Sequence, residues 1–79
     1  MYLHIGKNVM VHQNQIIGIF DLKVLKEKEQ AFYTKLKEEH KMIDVCQNNP
    51  KTFILIQKKD GIIGYISNIS SMTLGKRTK

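Results

Sequence analysis

Two apolar runs, Thr52-Phe53-Ile54-Leu55-Ile56-Gln57 and Ile62-Ile63-Gly64-Tyr65-Ile66-Ser67, are joined by Lys58-Lys59-Asp60-Gly61. Their β-branched and aromatic residues favour strands, and Asp-Gly is a strong hairpin signal. Neither run alternates cleanly between apolar and polar, so both faces of the hairpin are expected to be buried. The rest of the chain must supply that cover. Its 79 residues provide for one core, and positions 1–79 read as a single domain.

Upstream, Tyr2-Leu3-His4-Ile5 and Val9-Met10-Val11 read as strands around a Gly6-Lys7-Asn8 turn, since Gly and Asn tolerate positive φ. His12-Gln13-Asn14 then turns the chain into a third strand, Gln15 to Phe20. Val24 to His40 is rich in Lys, Glu, Gln and Leu, which favours a helix, with Asp21 as a cap. Leu25, Phe32, Leu36 and Ile43 fall on one helical face, opposite a polar face of mixed charge. Lys41 to Val45 reads as a strand, and a short helical turn from Asn68 reaches about Gly75, before a basic tail expected to fray. The fold class is α+β: a mainly antiparallel sheet of about six short strands, one amphipathic helix after the third, and a short C-terminal helix. One helix cannot cover both faces of such a sheet, which points to burial against a second copy.

Chemistry-bearing residues are sparse. Cys46 is the single cysteine, and His4, His12 and His40 carry no motif beside it. A buried packing role is the commoner fate of such a thiol. The paired short spacing of a zinc site is missing, and the glycines form neither GxGxxG nor a Walker loop. Gly18 and Gly64 lie inside strand-like runs, where a bulge or a close approach is the usual reason. No catalytic constellation, metal site or cofactor is implied. The opening MYLHIGKNVMVH has no basic lead before an apolar stretch, and no run approaches the roughly 20 residues that span a bilayer. The expectation is a cytoplasmic, non-enzymatic chain without a membrane partner.

Charge is more informative. The formal net charge is +6, and residues 50–79 hold six of the 13 basic residues against Asp60 alone. Such an excess attracts nucleic acid through salt-sensitive forces. Lys7, Lys51, Lys58 and Lys59 sit at expected turns, where side chains reach phosphate. Tyr2, Phe20 and Tyr65 could stack on bases, although strand aromatics are more often core, and the aromatic and basic signature of an RNA-recognition domain is missing.

The segments LHIGKNVMV, QIIGIFDL, PKTFILI and ISSMTL, in this order and over nearly the whole chain, resemble the small bacterial Rem-type extracellular matrix regulators, RemA-like and RemB-like. The resemblance is closer to the RemB-like branch. It implies a ring-type homo-oligomer that binds double-stranded DNA and regulates biofilm-matrix genes. A ring would multiply feeble phosphate contacts into avidity. RemA-like proteins carry an arginine in the turn before the third strand, where Gln15 lies here. They also carry an arginine cluster before the fifth strand, where this chain has Asn48-Asn49-Pro50-Lys51. The helix start KVLKEKEQ also lacks the Ser/Thr-rich lead-in expected of the branch. The expected contact surface is Lys51, Lys7, Asn49 and Gln15, with Lys76 and Arg77 secondary. The alternative is a protein-interaction or scaffold ring that has lost DNA affinity.

Overall fold

The computed structural model describes residues 1–46 and 48–77. Its strands are β1 (Tyr2–Gly6), β2 (Val9–His12), β3 (Ile16–Asp21), β4 (Met42–Asp44), β5 (Thr52–Lys58) and β6 (Gly61–Ser67). The helices are α1 (Glu27–Glu38) and α2 (Ser71–Arg77). Of the basic tail, Thr78 and Lys79 lie outside the described residues, and Lys76 and Arg77 belong to α2.

The six strands do not share one sheet. β1 and β2 form a separate antiparallel hairpin, and the other four pair in the order β3-β5-β6-β4. β5 and β6 are the central pair, with Lys58 opposite Gly61 across a Lys59-Asp60 turn. β3 joins antiparallel to β5, whereas β4 runs parallel to β6. The sheet is therefore mixed rather than wholly antiparallel. α1 carries the chain from one sheet edge to the other, and such a crossover returns the chain parallel to its start. The β5–β6 hairpin then fills the gap between β3 and β4.

This arrangement changes the burial argument. Thr52 to Ile56 are all buried, as the apolar run required. On one face Phe53, Leu55 and Ile66 pack with Leu36 and Cys46, assisted by Tyr33 and Phe20. On the other face Ile54, Ile56 and Tyr65 pack with Leu3, Ile5 and Val11 of the hairpin and Leu74 of α2. The cover assigned to a neighbouring copy is thus supplied by the chain itself. Burying each such large side chain is worth roughly 1.5–3 kcal/mol, so both clusters matter to stability.

Ser67 ties three of these pieces together. Its hydroxyl is fully buried, donates to the Ile5 carbonyl of the hairpin and accepts the Ile69 N–H leading into α2 at 3.0 Å. Thr52 Oγ1 donates to the Ile69 carbonyl from β5. Gly6 closes the hairpin against the sheet: its φ is +143°, and a Cβ there would stand 2.8 Å from the Val45 carbonyl oxygen. Gly64 makes room for the Met42 sulfur and the Phe53 ring, so what approaches this glycine is side chains and not the backbone expected of a glycine within a strand. Gly18 lies at a register shift in β3, beneath the Phe20 ring.

α1 starts later than its composition suggested. Asp21 caps a 3-10 turn over Leu22–Val24, with Oδ1 accepting the Lys23 N–H at 2.9 Å. The helix proper begins after Lys26, whose N–H donates to Glu29 Oε1 at 2.9 Å. Leu25 and Ile43 therefore lie outside it. Phe32 is 46% exposed, and the inward ring is Tyr33, edge-on to Phe53 with centroids 5.4 Å apart. Only Leu36 of the expected stripe is both helical and buried.

Candidate nucleic-acid interface

The strand register brings the end of β3, the start of β5, and the ends of β6 and β4 to one end of the sheet. Asp21 pairs with Thr52, Thr52 with Ser67, and Asp44 with Ile66. Lys51 enters β5 at this end. Its backbone N–H donates to the Ser67 carbonyl at 2.9 Å, and its carbonyl accepts the Leu22 N–H at 3.0 Å. The end of β6 and the turn that follows β3 thus fix the Lys51 backbone while its side chain stays exposed. Asn49, two residues earlier, is exposed at φ 54°, a left-handed conformation that Asn tolerates. Lys7 has φ 47° in the β1–β2 turn, with its carbonyl 2.7 Å from His4 Nε2. Because Gly6 abuts Val45, that turn belongs to the same end.

Gln15, Lys76 and Arg77 are elsewhere. Gln15 is half-buried in a 3-10 turn that leads into Ile16, which pairs with Ile56 near the opposite sheet end. α2 runs towards that turn, where Gln13 Nε2 donates to the Arg77 carbonyl at 3.4 Å. Arg77 Nη1 donates to the His4 carbonyl at 3.2 Å, so part of the guanidinium is already engaged. Lys58 and the Lys59-Asp60 turn are at this second end by register. β3 alone separates the two groups by about 17–20 Å. The structure therefore gathers Lys7, Asn49 and Lys51, and sets Gln15, Lys76 and Arg77 apart from them. Among the stacking candidates Tyr65 is core, Phe20 packs near Phe53, and Tyr2 is exposed edge-on to His12.

Lys23 was not singled out from sequence, yet it joins the first group. With Asp21, Lys51, Ser70 and Ser71 it lines a recess of about 230 Å³. It lies in a lysine- and glutamate-rich run that reads as helix, and the Asp21-x-Lys23 spacing of a capped turn is the signal that could have exposed it. Two carboxylates share this end of the sheet, Asp21 and Asp44, and they dilute its positive field.

Cys46 is a buried free thiol. Burial first, and then its bond to Asp44, push the thiol up to about 11. Its Sγ donates to Asp44 Oδ1 at 3.0 Å, and its N–H donates to the same oxygen at 2.8 Å. Those two hydrogen bonds hold the Asp44 carboxyl below its ordinary value. A thiol so placed stays protonated at neutral pH. No group of three or more metal-ligating side chains occurs among the described residues. None of the described helices is long and apolar enough to cross a membrane.

Residues 2–78 match the RemA-like family, described as Extracellular matrix regulatory protein A-like. The chain belongs to the RemA-like family. This RemA-like chain is also 32% identical over 79 residues to Extracellular matrix regulatory protein B of Bacillus subtilis (strain 168), covering 100% of the chain and 91% of that relative. The Rem-type resemblance, on its RemB-like side, therefore holds. The RemA-like chain has the α+β architecture expected for it, with the strands distributed over two sheets.

Proposed function

We propose that this protein is a non-enzymatic, cytoplasmic, DNA-binding regulator of extracellular-matrix genes, including those of biofilm formation. Lys7, Asn49 and Lys51 contact duplex phosphates, and Lys76 and Arg77 add a weaker second patch. The observation that carries this reading is Lys51: its backbone is bonded on both sides while its ammonium group faces solvent. Such contacts position a protein on DNA but carry little sequence information. One copy would bind feebly, so the reading includes a homo-oligomeric ring in which many weak sites add avidity. Since the chain covers its own sheet faces, association falls to the edges. Ile17 on edge strand β3 is 51% exposed and Ile43 on edge strand β4 is 45% exposed. Contact between opposite edges is heterologous, the kind that closes into rings.

The second reading is a protein-interaction or scaffold ring without DNA affinity. Asp21 and Asp44 favour it, because they lie at the same sheet end as the lysines.

Native mass spectrometry together with duplex-DNA binding at two salt concentrations tests the proposal. The expected result is an oligomer whose affinity falls steeply with salt, with a shallower slope in Lys51→Ala. An intact oligomer that ignores duplex at low salt would leave the scaffold reading. A chain that stays monomeric would remove the ring from both.

A further inference from the structure

Between the end of β3, the entry to β5 and the start of α2 lies the recess of about 230 Å³ lined by Asp21, Lys23, Lys51, Ser70 and Ser71. We propose that it is a subsite for one phosphoryl group, held by Lys23, Lys51 and the Ser71 hydroxyl. This rests on the DNA-binding reading above, under which the occupant is a single phosphodiester of the duplex backbone.

Three features of the recess select that ligand. The first is donor chemistry: two lysines and the Ser71 hydroxyl line one recess, and a phosphoryl group offers several acceptor oxygens in a compact tetrahedron. The second is size. Sites for whole small molecules run to roughly 300–1,000 Å³, so this recess suits one group and not a complete nucleotide. The third is charge. Asp21 stands against Lys23 and Lys51, which leaves one net positive charge among the lining residues. One positive charge balances the single negative charge of a phosphodiester, whereas a monoester dianion would be undercompensated.

The walls are also set before any ligand arrives. Lys51 and Leu22 are joined by a backbone bond of 3.0 Å, and Asp21 Oδ1 holds the Lys23 N–H at 2.9 Å. Thr52 Oγ1 and Ser67 Oγ hold the two backbone groups of Ile69, immediately before Ser70. Ser70 Oγ in turn accepts the Thr73 N–H at 3.2 Å and donates to Thr73 Oγ1 at 2.9 Å, so it shapes the wall and leaves the ligand to its neighbours. Fixed walls reduce the ordering cost of binding.

The test measures duplex affinity of the full chain across a salt series for wild type, Lys23→Ala, Asp21→Asn and Lys28→Ala, a control on the outer surface of α1. Lys23→Ala should reduce the slope of log K against log salt by about 0.9, equally for unrelated sequences. Asp21→Asn keeps the cap, removes the opposing charge and should bind more tightly, while Lys28→Ala should match wild type. If wild type binds and Lys23→Ala keeps its slope, the subsite is overturned and DNA binding stands. If wild type does not bind duplex, amide chemical shifts during titration with dimethyl phosphate, a monoanionic phosphodiester, decide the matter. Saturable shifts at Lys51, Ser70 and Ser71 that vanish in Lys23→Ala establish a free-phosphoryl site. No shift there overturns the proposal.

Discussion

Replacing Ser67 with Ala deletes one oxygen atom from a fully buried position and leaves the backbone of β6 untouched. That oxygen serves two partners, the Ile5 carbonyl in the hairpin and the Ile69 N–H before α2. A buried polar group that loses its partner costs about 1–3 kcal/mol. Ile5 is fully buried, whereas Ile69 is only partly so and can recruit water. The lower half of the range applies to the second group, which gives about 2–5 kcal/mol in total. Small domains have about 5–15 kcal/mol in all, so this is a large share of the stability. With about 4–8 °C per kcal/mol for a domain of this size, the melting temperature should fall by about 8–40 °C. Urea unfolding at fixed protein concentration checks the figure, with an unchanged m-value and Ser71→Ala as the control. Amide exchange adds a local signature, because Leu3, Ile5 and Val11 should lose protection before β5 and β6 do. A loss under about 0.5 kcal/mol would refute the idea that this hydroxyl couples hairpin, sheet and α2.

Gly6→Ala should destabilise the chain by about 1–3 kcal/mol, because a side chain is strained at φ +143° and its Cβ would meet the Val45 carbonyl oxygen at 2.8 Å; an unchanged urea midpoint would contradict the packing of the hairpin turn on the sheet. Iodoacetamide should label Cys46 slowly at pH 8 in the native protein and rapidly in denaturant, since the folded thiol is pushed up to about 11. The folded state holds that proton more tightly, so the contribution of Cys46 to stability is complete below its ordinary value near 9 and is lost as pH rises through about 11. Asp44 acts in the opposite sense: its lowered folded value stabilises above the usual carboxylate range, and this is lost as pH falls through it. Equal labelling rates in native and denatured protein would be inconsistent with the buried thiol.

The central hairpin was legible because its signal is local: apolar runs on either side of Asp-Gly become strands whatever surrounds them. What those strands pack against was not legible. Leu3, Ile5 and Val11 alternate with outward residues as in any strand, and nothing local says that their sheet folds over the β5–β6 layer instead of extending it. The parallel direction of β4 was hidden for a related reason, since it follows from the path of α1 across the sheet. Within α1, Phe32 and Tyr33 are adjacent aromatics, and a shift of the helix start past Leu25 decides which one meets Phe53. Lys51 could be found from its loop, next to the single proline. Lys23 was missed because its neighbourhood has helical composition, and the Asp21-x-Lys23 spacing alone points to the capped turn that holds it.

The topology that closes the core also determines where the charges gather. β3 and β4 run parallel, so both deliver their last residues to the end of the sheet where β5 begins and where the β1–β2 turn abuts Val45. Lys7, Lys23 and Lys51 meet there because three separate turns meet there. Asp21 and Asp44 meet there too, and for a structural reason. Each terminates a strand by accepting the N–H two residues ahead, Lys23 at 2.9 Å and Cys46 at 2.8 Å. Asn makes the same turn without the charge. Hence the acids that weaken the field at this end are not required by the fold as charges. At Asp21, which lines the recess, the proposed phosphoryl subsite gives the carboxylate a role in setting how strongly an anion would be held, while the amide would preserve the turn. At Asp44 it additionally keeps the neighbouring thiol protonated. The fold therefore needs two short side-chain acceptors here, and their charge is not among its requirements.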